Sequence, residues 1–271
     1  MEISGKIALV LGGAKGIGKH LGLSLARAGA TVILTYHDWP EASATMQREL
    51  AGLGGDHLAC QVDLRDPDQI SDLIATIRHR FGGLHILINN IERGGMPVVH
   101  GPYLPEQWEL EIATTMKAKW WVMHSALPLL KEAAEGAVVT LSSIAGLVGR
   151  SGPAGLLFND AYSAANRAIS SWTETWAREA APRVRVNELM LGLFETRHAE
   201  GTRGWDLMND EQKGELHRHT LLGRTGRIDE VIKAVRFLIQ DATFMTGSVI
   251  RMDGGYVLGG EKIPPMPAGV L

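Results

Sequence analysis

The residues best suited to do chemistry in this chain are three glycines and a tyrosine. Gly12, Gly16 and Gly18 stand in "VLGGAKGIGKHLG", which follows the first apolar run and opens a helix. Glycines let the backbone turn tightly and approach a pyrophosphate, whose charge then sits at the positive end of the helix. The spacing is G-x3-G-x-G rather than the commoner G-x-G-x-x-G. Ile17 lies inside the turn, and Lys15 before it adds a positive charge. A plain βα turn is the competing reading, but a strand before and an amphipathic helix after favour a phosphate cradle. Tyr162 lies in "YSAAN" with Asn166 four residues on. Residues i and i+4 share a helix face, so a phenol and an amide would sit side by side, with no charge between them.

After the second strand, an acidic residue would accept the adenosine ribose hydroxyls and favour NAD(H). Tyr36 holds that place, followed by His37 and Asp38. A 2′-phosphate needs a cation, and Lys15 lies close to where it would be, so NADP(H) is favoured over NAD(H). Asp38 would instead bond a ribose if the turn ran one or two residues long. Asp63, closing the third strand with Leu64 beside it, is placed to contact adenine. Its alternative is an N-cap for the next helix.

The elements that must hold these residues alternate from end to end. Apolar or β-branched runs at 6–13, 31–36, 57–63, 84–90, 137–143, 185–191 and 248–255 read as strands. Helical periodicity separates them, as at 66–81, where Ile70, Leu73, Ile74 and Ile77 repeat at three- and four-residue spacing. Asp66 followed by Pro67 is an N-cap with proline at the first helical position. This pattern predicts an α/β fold: a single domain over 1–271 with one doubly wound parallel sheet of about seven strands. Two segments break the rhythm. Residues 149–160 ("GRSGPAGLLFND") read as a substrate loop, and the polar stretch 195–222 reads as a mobile flap.

Composition narrows the functional classes. The chain has 271 residues, 27 Lys and Arg against 30 Asp and Glu, and a net charge of −3, so no footprint for nucleic acid or an anionic membrane is visible. No apolar stretch is long enough to span a bilayer, and the N-terminus has no signal-peptide pattern. One cysteine, Cys60, excludes an internal disulfide and suits a reducing, cytoplasmic compartment. His217 and His219 have no third ligand at fixed spacing, so no metal site is expected.

Taken together, these segments resemble the short-chain dehydrogenase/reductase family over nearly the whole length. "LGGAKGIG" is similar to its TGxxxGxG turn, with Leu11 in place of Thr. "LINNIE" resembles its NNAG segment, with Asn89 and Asn90 kept and Ile91-Glu92 replacing Ala-Gly. "TLSSIAG" resembles the strand carrying the catalytic serine, which implies that role for Ser143. "YSAAN" resembles YxxxK, and "VRVNELMLGLFET" resembles VNxxxPG, with Leu191 for proline and Thr196 at the cofactor-carboxamide position. The resemblance places Thr115 where the family carries a helix asparagine. It also implies a homodimer or homotetramer through the helix bearing Ala165, Ile169, Trp172 and Trp176.

In the family, tyrosine passes the substrate proton, serine orients the carbonyl and lysine lowers the tyrosine pKa while holding the nicotinamide ribose. An ammonium about 5 Å from a phenol, at an effective dielectric near 20, is worth roughly 3 kcal/mol, or about 2.4 pKa units. Without it a tyrosine titrates near ~10 and remains a neutral acid at pH 7. The exchange therefore harms alcohol oxidation, which needs the anion, more than carbonyl reduction. Asn166 would still hydrogen-bond the ribose. Lys117 and Lys119 on the preceding helix read as solvated surface lysines, and Arg167 points about 100° away around the helix. The leading expectation is an NADP(H)-dependent reductase of a carbonyl or C=N bond on a small molecule, using Ser143, Tyr162, Asn166 and Thr115. The alternatives are a nucleotide-binding protein without redox turnover and a non-redox lyase or dehalogenase-like enzyme on the same fold.

Overall fold

The structure is a computed structural model that describes residues 1–91, 105–196, 205 and 208–260. Seven strands, β1 (Ile7–Val10), β2 (Thr31–Tyr36), β3 (Leu58–Gln61), β4 (Ile86–Asn89), β5 (Gly136–Ser143), β6 (Val184–Leu191) and β7 (Val249–Met252), form one parallel sheet. Its order is β3-β2-β1-β4-β5-β6-β7. β1 has β2 on one side and β4 on the other, so the connections diverge there. A crevice opens at the carboxyl ends of the strands at such a point.

Alternation along each strand feeds two cores. Ala8 and Val10, Ile86 and Ile88, and Val139 pack against α1 (Gly16–Arg27), α2 (Pro40–Ala51) and α9 (Ile228–Gln240). Leu9, Leu87 and Val138 face the other way, toward α3 (Pro67–Phe81), α5 (Ala118–Glu132) and α7 (Asp160–Ala180). Both faces are covered, which is why the strands read as apolar runs rather than alternating ones. The N-terminus of α3 is where the sequence places it: Asp66 accepts from Asp68 N at 2.9 Å, and Pro67 is the first helical residue.

The segments expected to be irregular carry more structure than composition suggested. Within 149–160, the residues Pro153–Leu156 form a 3-10 turn just after the short α6 (Ala145–Val148). Residues 210–219 of the expected flap form α8 (Asp210–His219). Asn209 and Gln212 close a reciprocal capping box at its start, which satisfies the backbone N–H groups that a helix leaves open. A short helix α4 (Pro105–Glu111) runs into a π-helical turn, Ile112–Lys117, and then into α5. No described helix is long and apolar enough to cross a membrane.

Candidate active site

The glycine turn is built by close backbone approach. Gly12 adopts φ +65°, and a Cβ there would lie 2.3 Å from the Asn90 carbonyl oxygen. A Cβ on Gly18 would lie 2.3 Å from the Gly12 carbonyl oxygen and 2.6 Å from Asn90 Nδ2. Asn90 donates to the carbonyls of Leu11 and Gly12, tying the end of β4 to the turn. Gly16 is different: φ is +57°, but nothing lies within 4 Å of a Cβ built on it. Its face of the cradle is open. Ile17 is half-buried and packs downward onto the core. The side chain of Lys15 makes no cap, and the first turn of α1 holds no acid to offset the positive end of the helix.

Lys15 turns instead toward the end of β2, where its ammonium lies 3.2 Å from the centroid of the Trp39 ring. Beside it, His37 Nε2 and the Arg65 guanidinium stand 3.4 Å apart, and Arg65 Nε donates to Asp63 Oδ1 at 2.8 Å. The bond from Arg65 holds the Asp63 carboxyl down, at about 2 against an ordinary 3.8. Asp63 is therefore not the helix cap, a role that Asp66 fills. Leu64 is buried in the core below. Arg65, a cation placed among Asp63, Asp38 and His37, is absent from the sequence reading. Its signal was its position two residues beyond Asp63 at the end of β3.

Ser143, Tyr162 and Asn166 meet at the carboxyl end of β5. Asn159 caps α7 and accepts from Tyr162 N at 2.7 Å, which sets the tyrosine in the first turn. Asn166, one turn on, is fully buried. Its Oδ1 accepts from Ser143 N at 3.0 Å, and its Nδ2 donates to the Tyr162 carbonyl at 3.0 Å. Both ends of the amide are thus bonded within the protein, an arrangement that differs from the ribose contact expected of it. The Ser143 hydroxyl accepts from Ala145 N at 3.1 Å, leaving its own proton available. A Cβ on Gly146 would come within 2.8 Å of Arg167 N, so α6 presses closely on α7 here.

Thr115 is also buried, but its hydroxyl donates to Glu111 Oε1 at 2.6 Å, inside the π-helical turn that packs against α7. Lys117 is exposed, as expected. Lys119 is not: it is 1% exposed, and its ammonium donates to the Leu141 carbonyl at 2.6 Å. The surface reading of Lys119 is overturned, because one helical turn beyond Thr115 it faces the sheet.

Above Tyr162 an apolar wall gathers Ile144, Phe158, Met190, Trp205, Leu216 and Tyr256. Tyr256 accepts from Ala154 N at 2.7 Å and so pins the 149–160 segment. His219 packs on Tyr256 and His217 on Trp205. Thr196 is half-buried, its N–H donating to the Phe194 carbonyl at 2.7 Å. Glu92 and residues 197–204 and 206–207 of the flap lie outside the described residues.

Residues 12–257 match the family model described as enoyl-(acyl carrier protein) reductase. The chain belongs to the short-chain dehydrogenase/reductase family. Among its members, a 3-oxoacyl-(acyl-carrier-protein) reductase of Thermotoga maritima is 31% identical, covering 95% of this chain and all of its own length. A cyclohexanol dehydrogenase of Acinetobacter is 30% identical over 94% of this chain and 96% of its own. A solved structure from Sinorhizobium meliloti, described as a short-chain alcohol dehydrogenase, superposes with a TM-score of 0.79 at 28% identity, covering 94% of this chain and 98% of that one. The short-chain dehydrogenases/reductases are oxidoreductases that use nicotinamide dinucleotides, and the open face at Gly16 above an uncapped helix start fits a pyrophosphate.

Proposed function

We propose that this protein is an NADP(H)-dependent reductase acting on the carbonyl, or C=N bond, of a small and largely apolar molecule. The observation that carries the reading is the clamp at Asn166, which holds Ser143 and Tyr162 together beneath the apolar wall. Gly12, Gly16, Ile17, Gly18 and Asn90 would hold the pyrophosphate side of the cofactor, and Leu64 and Asp63 the adenine side. Thr196 would meet the carboxamide, and Tyr162 the nicotinamide ribose. Lys15 and Arg65, the latter paired with Asp63 and beside His37, bring cations to the place where a 2′-phosphate would sit, which supports NADP(H) over NAD(H). When bound, the nicotinamide supplies the hydride.

The chain's own residues handle the oxygen and the proton. The Ser143 hydroxyl, its oxygen already accepting from Ala145 N, donates to the substrate carbonyl and orients it. Tyr162 gives its phenolic proton to the developing alkoxide. Position 166 carries an amide rather than an ammonium, and a neutral phenol is the acid that carbonyl reduction needs.

We also propose a homodimer or homotetramer. Trp120 and Trp121 on α5 and Trp172 on α7 are half-exposed, and the exposed His124 stacks on Trp120 with centroids 5.0 Å apart. Such an aromatic belt suits a partner copy.

Fluorescence titration with NADPH and NADH, followed by a screen of apolar ketones and imines, tests the reading. Tighter binding of NADPH and its oxidation by at least one carbonyl substrate are expected. Failure of both nucleotides to bind overturns it. So does binding without turnover in the native chain when only Asn166→Lys turns over.

A further inference from the structure

Behind the Ser143–Tyr162 pair lies a second polar cluster inside the apolar layer. Asn89, Thr140 and Glu188 stand in register across β4, β5 and β6, so adjacent side chains project about 5 Å apart on one face. Glu188 Oε1 accepts from Ser142 and, at 3.2 Å, from Ser170 on α7. Among the described residues, the buried side-chain atoms without a hydrogen-bond partner are Asn89 Oδ1, Thr140 Oγ1, Thr173 Oγ1 and Glu188 Oε2. All four are oxygens, and all belong to this row or to the helix above it. Buried polar atoms are bonded as a rule. Water, which donates to the amide and carboxylate oxygens and accepts from the threonines, would serve all four.

Lys119 enters the same region, donating to the Leu141 carbonyl between Thr140 and Ser142. Three members of this cluster are near chain neighbours of site residues. Lys119 is one turn past Thr115, Ser170 is one turn past Asn166, and Ser142 adjoins Ser143. Leu141 is two strand residues from Ser143, so the ammonium lies within roughly 10 Å of Ser143. Glu188 on β6 and the exposed Arg167 on α7 share this region, and the Glu111 carboxylate bonds Thr115 one turn before Lys119. Burial pushes the Glu188 carboxyl up, while Ser142, Ser170, Lys119 and Arg167 oppose the rise.

We propose that Lys119 is a positioning residue for Tyr162, its buried ammonium, held beside Glu188 and internal water, supplying the positive charge that position 166 does not carry. This rests on the reductase reading for its catalytic meaning, but its test does not depend on turnover. The ionisation of Tyr162 is followed by tyrosinate difference absorbance, each protein being compared with its own Tyr162→Phe partner. At a distance like the roughly 10 Å that separates the ammonium from Ser143, a charge changes the proton affinity of a phenol by about tenfold at an effective dielectric near 20.

Lys119→Met is expected to raise the proton affinity of Tyr162 by at least about threefold, toward that limit. Glu188→Gln, which removes a negative group, is expected not to raise it. A structural role would move the two variants together. If Lys119→Met does not fold, the double variant Lys119→Met/Glu188→Gln is compared with Glu188→Gln alone, with the same rise expected. An unchanged Tyr162 midpoint on loss of Lys119, or equal rises in both single variants, overturns the proposal. A native chain that binds nucleotide but reduces no substrate overturns the reductase reading instead, and leaves this comparison intact.

Discussion

Asn166 fixes Ser143 by accepting its backbone N–H at 3.0 Å, while the other end of the same amide donates to Tyr162 O. Asn166→Ala would strand a buried N–H, at a cost of about 1–3 kcal/mol. Urea denaturation should show a loss of that size, with carbonyl reduction falling in parallel. Asn166→Lys would add a charge but remove the acceptor, so it should lose stability too. Unchanged stability in Asn166→Ala would mean that the clamp carries no weight.

The glycine turn separates two kinds of damage. Gly18→Ala places a Cβ 2.3 Å from the Gly12 carbonyl, so the turn must open and stability should fall by about 1–3 kcal/mol. Gly16→Ala meets no atom, and its positive φ costs about 1–2 kcal/mol. Dinucleotide titration of Gly16→Ala should nonetheless show at least about a tenfold loss, because the methyl projects into the open cradle. Intact binding in Gly16→Ala would place the pyrophosphate elsewhere.

Asp63 and Arg65 predict an acid-side signature. The Asp63 carboxyl is held at about 2, below its ordinary 3.8. Its pairing therefore contributes fully above pH 4 and is lost as the pH falls from 4 toward 2. Native protein should lose stability more steeply across that window than Arg65→Ala. In the same variant NADPH binding should weaken several-fold more than NADH binding, which nucleotide titration reads directly.

Trp205 forms part of the apolar wall above Tyr162. Truncating it to alanine removes about 1–3 kcal/mol of apolar contact. For an apolar ketone KM should rise by about tenfold, with a smaller change in kcat. A change confined to kcat would place the substrate away from this wall.

The half-exposed Trp172 and Trp120 predict the quaternary behaviour. Trp172→Glu should convert the assembly to monomer in light scattering. A native chain that is already monomeric would remove the proposed interface.

The strands, the glycine cradle and the start of α3 were legible because each depends on local rules. Apolar runs, positive-φ glycines and an Asp-Pro cap act within a few residues of themselves. α8 was legible in principle from Asn209 and Gln212, but the charge around them suggested a flap. The pairing of Arg65 with Asp63 and His37 was harder to see, because its partners come from the ends of two strands.

The chain alone settled the fold class and the family, since the order of elements and the turn chemistry are written along it. Tertiary structure decided the rest of the site. "MKAKWW" and "VRVNELML" give no sign that Lys119 and Glu188 share a buried region. Their burial depends on how α5 and α7 lie across β5 and β6, a packing outcome with no local signature. The same is true of Asn166. As a sequence letter it is a missing lysine, and in the fold it is an amide whose two ends are bonded to Ser143 and Tyr162.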